Sequence, residues 1–121
     1  MSTIRVNGQY ETGLVKFNRK LNNELFIFFN NDLYIYHTDG TLIQQRDFDF
    51  NVTHAVQDED SLIITYENGT LACYDWNKDK IVDELEDFGS VKSIAISSHR
   101  TPEASRVLVF GMDNGDITIL K

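Results

Sequence analysis

The sequence predicts an all-β chain made of three copies of a four-stranded antiparallel unit. Three observations predict it. Segments 29–37 (FNNDLYIYH), 67–75 (ENGTLACYD) and 113–121 (DNGDITILK) align without gaps, each a turn signal followed by alternating apolar residues. Each follows a short run apolar on both faces: Leu25–Phe29, Leu62–Tyr66 and Val107–Phe110. Such β-branched and aromatic runs suit strands covered on both sides. Two of the three turns contain Asn-Gly, at 68–69 and 114–115, the strongest short hairpin signal.

The elements follow in order. Leu14–Asn18 begins the first unit as strand A and Leu25–Phe29 is strand B. Asn30-Asn31 turns the chain, since asparagine tolerates the left-handed region. Strand C then ends at Tyr36-His37, and Thr41–Gln45 follows Thr38-Asp39-Gly40 as strand D. The second unit repeats this with Val52–Val56, Leu62–Tyr66, Leu71–Asp75 and Lys80–Leu85. The third has Val91–Ile96, Val107–Phe110 and Ile117–Lys121, but no strand D. Leu33 to Leu71 is 38 residues and Leu71 to Ile117 is 46. The extra length falls in the polar stretch 99–105, which reads as a loop. The units therefore span about 14–50, 51–88 and 89–121, with the alternating segment 3–7 as a closing strand. The Asn-Gly turns are expected to be two-residue type I′ turns, with φ positive at both central positions. The acidic run 83–87 is too short for a stable helix and lies on a strand register.

A four-stranded unit every forty residues or so marks a β-propeller blade. On these residues the chain resembles the WD40-like propeller family across about 14–121. Tyr74-Asp75 stands where that family has Trp-Asp, with Trp76 one residue late. The first repeat has Tyr36-His37 there and the third Leu120-Lys121. No repeat carries Gly-His before strand A, so the family's buried Asp-His-Ser-Trp relay does not transfer to this chain. The resemblance implies WD40-like propeller blades of four antiparallel strands, forming an incomplete ring within one chain.

Composition narrows the function. Hydrophobic residues make up 41% and charged residues 25%, which is ordinary globular usage. The single cysteine, Cys73, rules out an intramolecular disulfide framework and reads as an inert buried thiol on the Leu71 face. The formal net charge is −8, which argues against gripping nucleic acid or anionic lipid. Residues 1–40 balance four basic against four acidic side chains, so residues 41–121 carry the whole excess. The N-terminus lacks the apolar core of a signal peptide and the longest apolar run is Leu25–Phe29, so the expected location is cytoplasm or nucleus and no membrane partner is expected. His37, His54 and His99 show no metal-ligand spacing, and Asp113-Asn114-Gly115-Asp116 lacks the terminal glutamate of a calcium loop. Tyr34 and Tyr36 read as packed strand residues rather than a nucleic-acid stacking platform. No catalytic residue, metal or cofactor is expected, and the chain reads as non-enzymatic.

Two surfaces carry the functional expectation. Three blades are too few to close a ring, so blade faces should stay exposed, with Phe26, Phe28, Val107 and Val109 underprotected. The third unit would also leave an unpaired edge at Ile117 and Ile119, a template for strand addition. Two copies could complete each other by pairing Ile4 and Val6 with that edge; a partner subunit or further chain could do the same; or the sheets could collapse into a small barrel or sandwich. The resemblance also places the B–C turns and D–A connections on one face. That rim would carry Asp32, Thr70 and Asp116 from the turns, with Asp47, Asp49, Glu86 and Asp87 from the connections, and would attract a protein partner with a basic segment. The expected function is therefore a protein-interaction or assembly module, self-associating or a subunit of a complex. The alternative is a small-molecule-binding or hydrolytic β-protein with its site in a barrel or ring channel.

Overall fold

A computed structural model of the chain describes residues 3, 13–21, 23–97 and 106–120. They form eleven strands and, among the described residues, no helix. The chain divides into two compact units, 1–52 and 53–121.

The first unit holds one four-stranded antiparallel sheet in the order β1 (Leu14–Phe17), β2 (Glu24–Phe29), β3 (Asp32–His37), β4 (Leu42–Asp47). Register explains its burial. Phe26 pairs with Ile35 and Phe28 with Leu33, placing four buried side chains on one face. Ile27 opposes Tyr34 on the other face, where Ile27, Tyr34 and Tyr36 form a buried cluster flanked by Leu25 and Phe29. Apolarity on both faces of β2 and β3 is thus used on both faces.

The second unit holds two sheets. One runs β5 (Val52–Asp58), β6 (Ser61–Tyr66), β7 (Leu71–Asp75), β8 (Lys80–Leu85). The other has three strands, β9 (Val91–Ile96), β10 (Leu108–Met112) and β11 (Ile117–Leu120), in the order β11-β10-β9. Their shared core is Ile63, Leu71, Val91, Leu108 and Phe110, with Val56, Cys73, Ile94, Ile96, Met112 and Leu120 packed around it. Phe88, on the connection after β8, meets Phe110 edge-on with ring centroids 4.7 Å apart. Each fully buried aliphatic or aromatic side chain here contributes about 1.5–3 kcal/mol.

The turns differ from the type I′ expectation. At 66–70 the Gly69 N–H donates to the Tyr66 carbonyl and the Tyr66 N–H to the Thr70 carbonyl. Gly69 has φ +88 while Asn68 stays at negative φ. This is a type I turn closed by a left-handed glycine, the three-residue hairpin loop. The same bonds recur at His37–Thr41, with Gly40, and at Met112–Asp116, with Gly115. In each, the side-chain oxygen of Asp39, Asn68 or Asn114 accepts the N–H two residues on, at 2.9, 3.0 and 2.9 Å. That bond favours the three-residue form because it needs Asn or Asp outside the left-handed region. At Asn30-Asn31 the loop has two residues, with positive φ only at Asn30.

Exposure also falls elsewhere than expected. Phe26 and Phe28 are fully buried and Val107 and Val109 half-buried. They lie on or beside the second strand of each sheet, which neighbours shield from both sides. Most exposed apolar residues are on flanking strands: Val15 and Phe17 on β1, Leu42 and Ile43 on β4, Val82 and Leu85 on β8, Ile117 and Ile119 on β11.

Candidate protein-interaction surfaces

The first surface is the edge of the three-stranded sheet. β11 pairs with β10 from Leu108↔Leu120 to Gly111↔Ile117 and has no strand on its other side among the described residues. Side chains alternate across a strand. Leu120 therefore enters the core with Leu108, while Ile117 and Ile119 lie on the face shared with Val109 and Gly111. Ile117 is 71% exposed and Ile119 58%. Ile4 and Val6, their expected strand partners, lie outside the described residues, as does His99.

Beside this edge is a groove of about 380 Å³ between the two sheets of the second unit. Ile63, Leu71, Leu108 and Leu120 line its apolar part; Val82, Asp83, Glu84 and Leu85 of β8 and Arg106 also line it. Arg106 Nε donates to Asp58 Oδ2 at 2.8 Å, so this cation is already matched by a carboxylate. Asp83 opposes Cys73 in the β7–β8 register. Burial pushes the Cys73 thiol up, with Asp58 and Asp83 adding to the shift against Arg106 and a Ser61 hydrogen bond. A raised thiol pKa means little thiolate at neutral pH and an inert cysteine. Sequence reasoning missed this groove. Its residues read individually as ordinary strand positions.

The acidic residues occupy the two units separately. In the first, Asp32 starts β3 and Asp47 ends β4, directly opposite each other. Hydrogen bonding to Asp47, burial and the Asp47 charge together raise the Asp32 pKa to about 6. The connection after β4 is pinned to the β2–β3 turn: Phe48 N–H donates to the Asn31 carbonyl, Asn31 Nδ2 to the Phe48 carbonyl at 2.9 Å, and Val52 N–H to the Asn30 carbonyl. Asp49, on that connection, is exposed. In the second unit, Glu86 and Asp87 are exposed after β8 and Asp116 is exposed before β11. Gly89 N–H donates to the Gly69 carbonyl and Asp113 N–H to the Ser90 carbonyl, and Ser90 Oγ hydrogen-bonds Asp113. Connection and hairpin turns therefore sit together within each unit. Thr70 is buried, so it offers no rim surface.

His37 Nδ1 lies 3.3 Å from the Asn23 carbonyl, and His54 Nδ1 is a buried atom without a hydrogen-bond partner among the described residues. Tyr34 and Tyr36 are buried, which withholds both rings from a stacking ligand.

No family model matches the chain, and no curated protein matches it. Solved structures do. The crystal structure of Saccharomyces cerevisiae Sqt1 superposes with a TM-score of 0.71 at 12% identity, covering 100% of this chain and 35% of that one. BBS1N, in a complex with ARL6DN, superposes with a TM-score of 0.68 at 12% identity, covering 89% of this chain and 33% of that one. The chain thus spans about a third of the solved chains it matches. The fold is all-β and propeller-like, built of blade-type antiparallel sheets.

Proposed function

We propose that this chain is a non-enzymatic protein-interaction or assembly module of propeller blades. The observation that carries this is the β11 edge, which has no strand partner among the described residues and has Ile117 and Ile119 exposed on it. Edge strands usually carry charge or proline against pairing, and this one carries neither between residues 117 and 120. Strand addition supplies the missing backbone partners and covers apolar surface. The added strand comes from a partner chain, or from the segment carrying Ile4 and Val6 in a second copy. The acidic turns form a second contact, taking a basic segment at Asp32, Asp47 and Asp49 or at Glu86, Asp87 and Asp116. A propeller neighbour, BBS1N, is itself solved in a protein complex, which supports the same use here. The groove supports protein binding over hydrolysis: its lining is mostly apolar and its Arg106 is already matched by Asp58. The site of action is cytoplasm or nucleus.

The test is light scattering after gel filtration across a concentration series, with and without candidate partners. A species heavier than the monomer is expected, lost in Ile119→Lys while its circular dichroism is unchanged. A wild-type chain that stays monomeric in every mixture, indistinguishable from Ile119→Lys, ends the proposal. Reversing Asp47, Asp49, Glu86 and Asp87 to lysine tests the acidic contact; unchanged partner binding would remove it.

A further inference from the structure

We infer that Asn114 is a site of spontaneous covalent modification: it loses its side-chain amide to attack by the Gly115 nitrogen, and the isoaspartyl product loosens the hairpin that sets β11 in place. This inference is independent of what β11 binds.

The chemistry is confined to one Asn-Gly step and water. The Gly115 main-chain nitrogen attacks Asn114 Cγ and gives up its proton. The Cγ–Nδ2 bond breaks, and ammonia leaves with that proton. A five-membered succinimide ring then joins the two residues. Water opens one of its two C–N bonds. One opening gives aspartate; the other gives isoaspartate, whose main chain is one carbon longer. Glycine after the asparagine favours the attack, because it has no Cβ to crowd the nitrogen and bends freely toward Cγ.

The fold ranks three copies of the same turn. They carry Asp39-Gly40, Asn68-Gly69 and Asn114-Gly115. In each, the glycine N–H donates to the carbonyl three residues back, at 3.0, 3.1 and 3.0 Å. The attacking nitrogen leaves an equivalent bond in all three, so the difference lies around the turn. At the second copy, the Gly69 carbonyl accepts the Gly89 N–H at 3.1 Å, and the Gly89 backbone stands 3.7 Å from where a Gly69 Cβ would be. Thr70, next in the chain, is buried. Moving Gly69 toward Asn68 breaks that extra bond and displaces a buried neighbour. At the third copy, Asn114, Gly115 and Asp116 are all exposed, and nothing lies within 4 Å of the Gly115 Cβ position. Asn114 Nδ2 donates to Asp116 Oδ2 at 3.1 Å, a contact inside the same exposed turn. Asp113 N–H is tied to the Ser90 carbonyl, which anchors the entry to the turn and not the 114–115 peptide. The first copy is as open at Gly40 but presents an acid. Hydrogen bonds from the Thr41 N–H and hydroxyl hold the Asp39 carboxyl below its usual range. It therefore stays ionised, and a carboxylate resists attack by nitrogen.

The product acts on β11 through the turn. The added carbon of isoaspartate falls inside the loop closed by the Gly115 N–H to Met112 and the Met112 N–H to Asp116. That loop sets the β10–β11 register, which starts at Gly111↔Ile117. Either product also places a new carboxylate between Asp113 and Asp116, where like charges repel.

The test incubates the full chain in mildly alkaline buffer, with tryptic digestion and mass spectrometry at intervals. Fragment spectra assign the amide-to-acid mass gain to individual asparagines and identify isoaspartate. Asn114 is expected to convert about fivefold to tenfold faster than Asn68, whose opening breaks one more hydrogen bond. In guanidinium the two rates are expected to converge, since both steps are Asn-Gly. A further such step, Asn7-Gly8, lies outside the described residues and falls in a different tryptic peptide. Equal rates at Asn68 and Asn114 in the folded chain, or a faster Asn68, overturn the selection of Asn114. Hydrogen exchange reads the consequence. The converted chain is expected to exchange its Ile117–Leu120 amides faster. Asn114→Gln incubated in parallel is expected to show no such change, because its longer side chain closes the ring poorly. Unchanged exchange in the converted chain overturns the loosening of β11.

Discussion

Asp32 and Asp47 show how a single pair can set a pH response. They sit across from each other at the ends of β3 and β4, and the Asp32 pKa is raised from 3.8 to about 6 by the shared hydrogen bond, burial and the neighbouring charge. A raised folded-state pKa means the folded protein holds this proton more tightly than the unfolded chain. The stabilisation is full below about pH 4 and is lost as pH rises through about 6. Asp32→Asn removes the repulsion at neutral pH, so it should stabilise the protein there by about 0.5 kcal/mol, with little gain at pH 4. Urea midpoints at the two pH values check this; an equal shift at both would disprove the pairing. Tyr74 presents a different case. Its hydroxyl donates to Asp79 Oδ1 at 2.6 Å across the β7–β8 turn, where Asp79 has φ +52. Tyr74→Phe should cost about 1 kcal/mol, measured the same way.

At the scale of elements, the hairpin turns matter most. Gly115 has φ +92 and nothing within 4 Å of where a Cβ would stand, so Gly115→Ala is strained by backbone conformation alone. It should cost about 1 kcal/mol in thermal denaturation. Gly111 contrasts with it: its φ is not positive, but a Cβ would come 2.5 Å from Ser93 Oγ. Gly111→Ala should therefore be rescued in part by Ser93→Gly, whereas Gly115→Ala should not. The pairing of these results separates conformational strain from crowding. The same turn repeats at Gly40, Gly69 and Gly115, yet in the first sheet it joins strands C and D rather than B and C. Gap-free alignment of the three repeats conceals that shift because Asn30-Asn31 turns the chain in two residues instead of three.

For the whole molecule, the second unit depends on two sheets sharing one small core. Phe110 is fully buried at its centre and meets Phe88 edge-on. Phe110→Ala should cost about 3–5 kcal/mol. That is a large part of the stability of a domain this size. A loss under about 1 kcal/mol in chemical denaturation would contradict the described core. The interaction surfaces belong to this scale too, because the groove exists only where β8 and β11 come from different sheets.

The sequence by itself determined the strands, their antiparallel order and the alternating pattern along each of them. It did so because period-two patterning and Asn-Gly turns are local signals that survive without tertiary context. The depth of burial was not legible. Phe26 and Val15 are both apolar strand residues, and only the order of strands within a sheet makes one central and the other exposed. Nor were the type I turns legible, since Asn-Gly serves both hairpin forms and the surrounding hydrogen bonds choose between them. The Asp32–Asp47 pair and the β8–β11 groove each join residues far apart in the chain. Tertiary structure alone brings them together, because proximity across strands and sheets is decided by register and packing rather than by local composition.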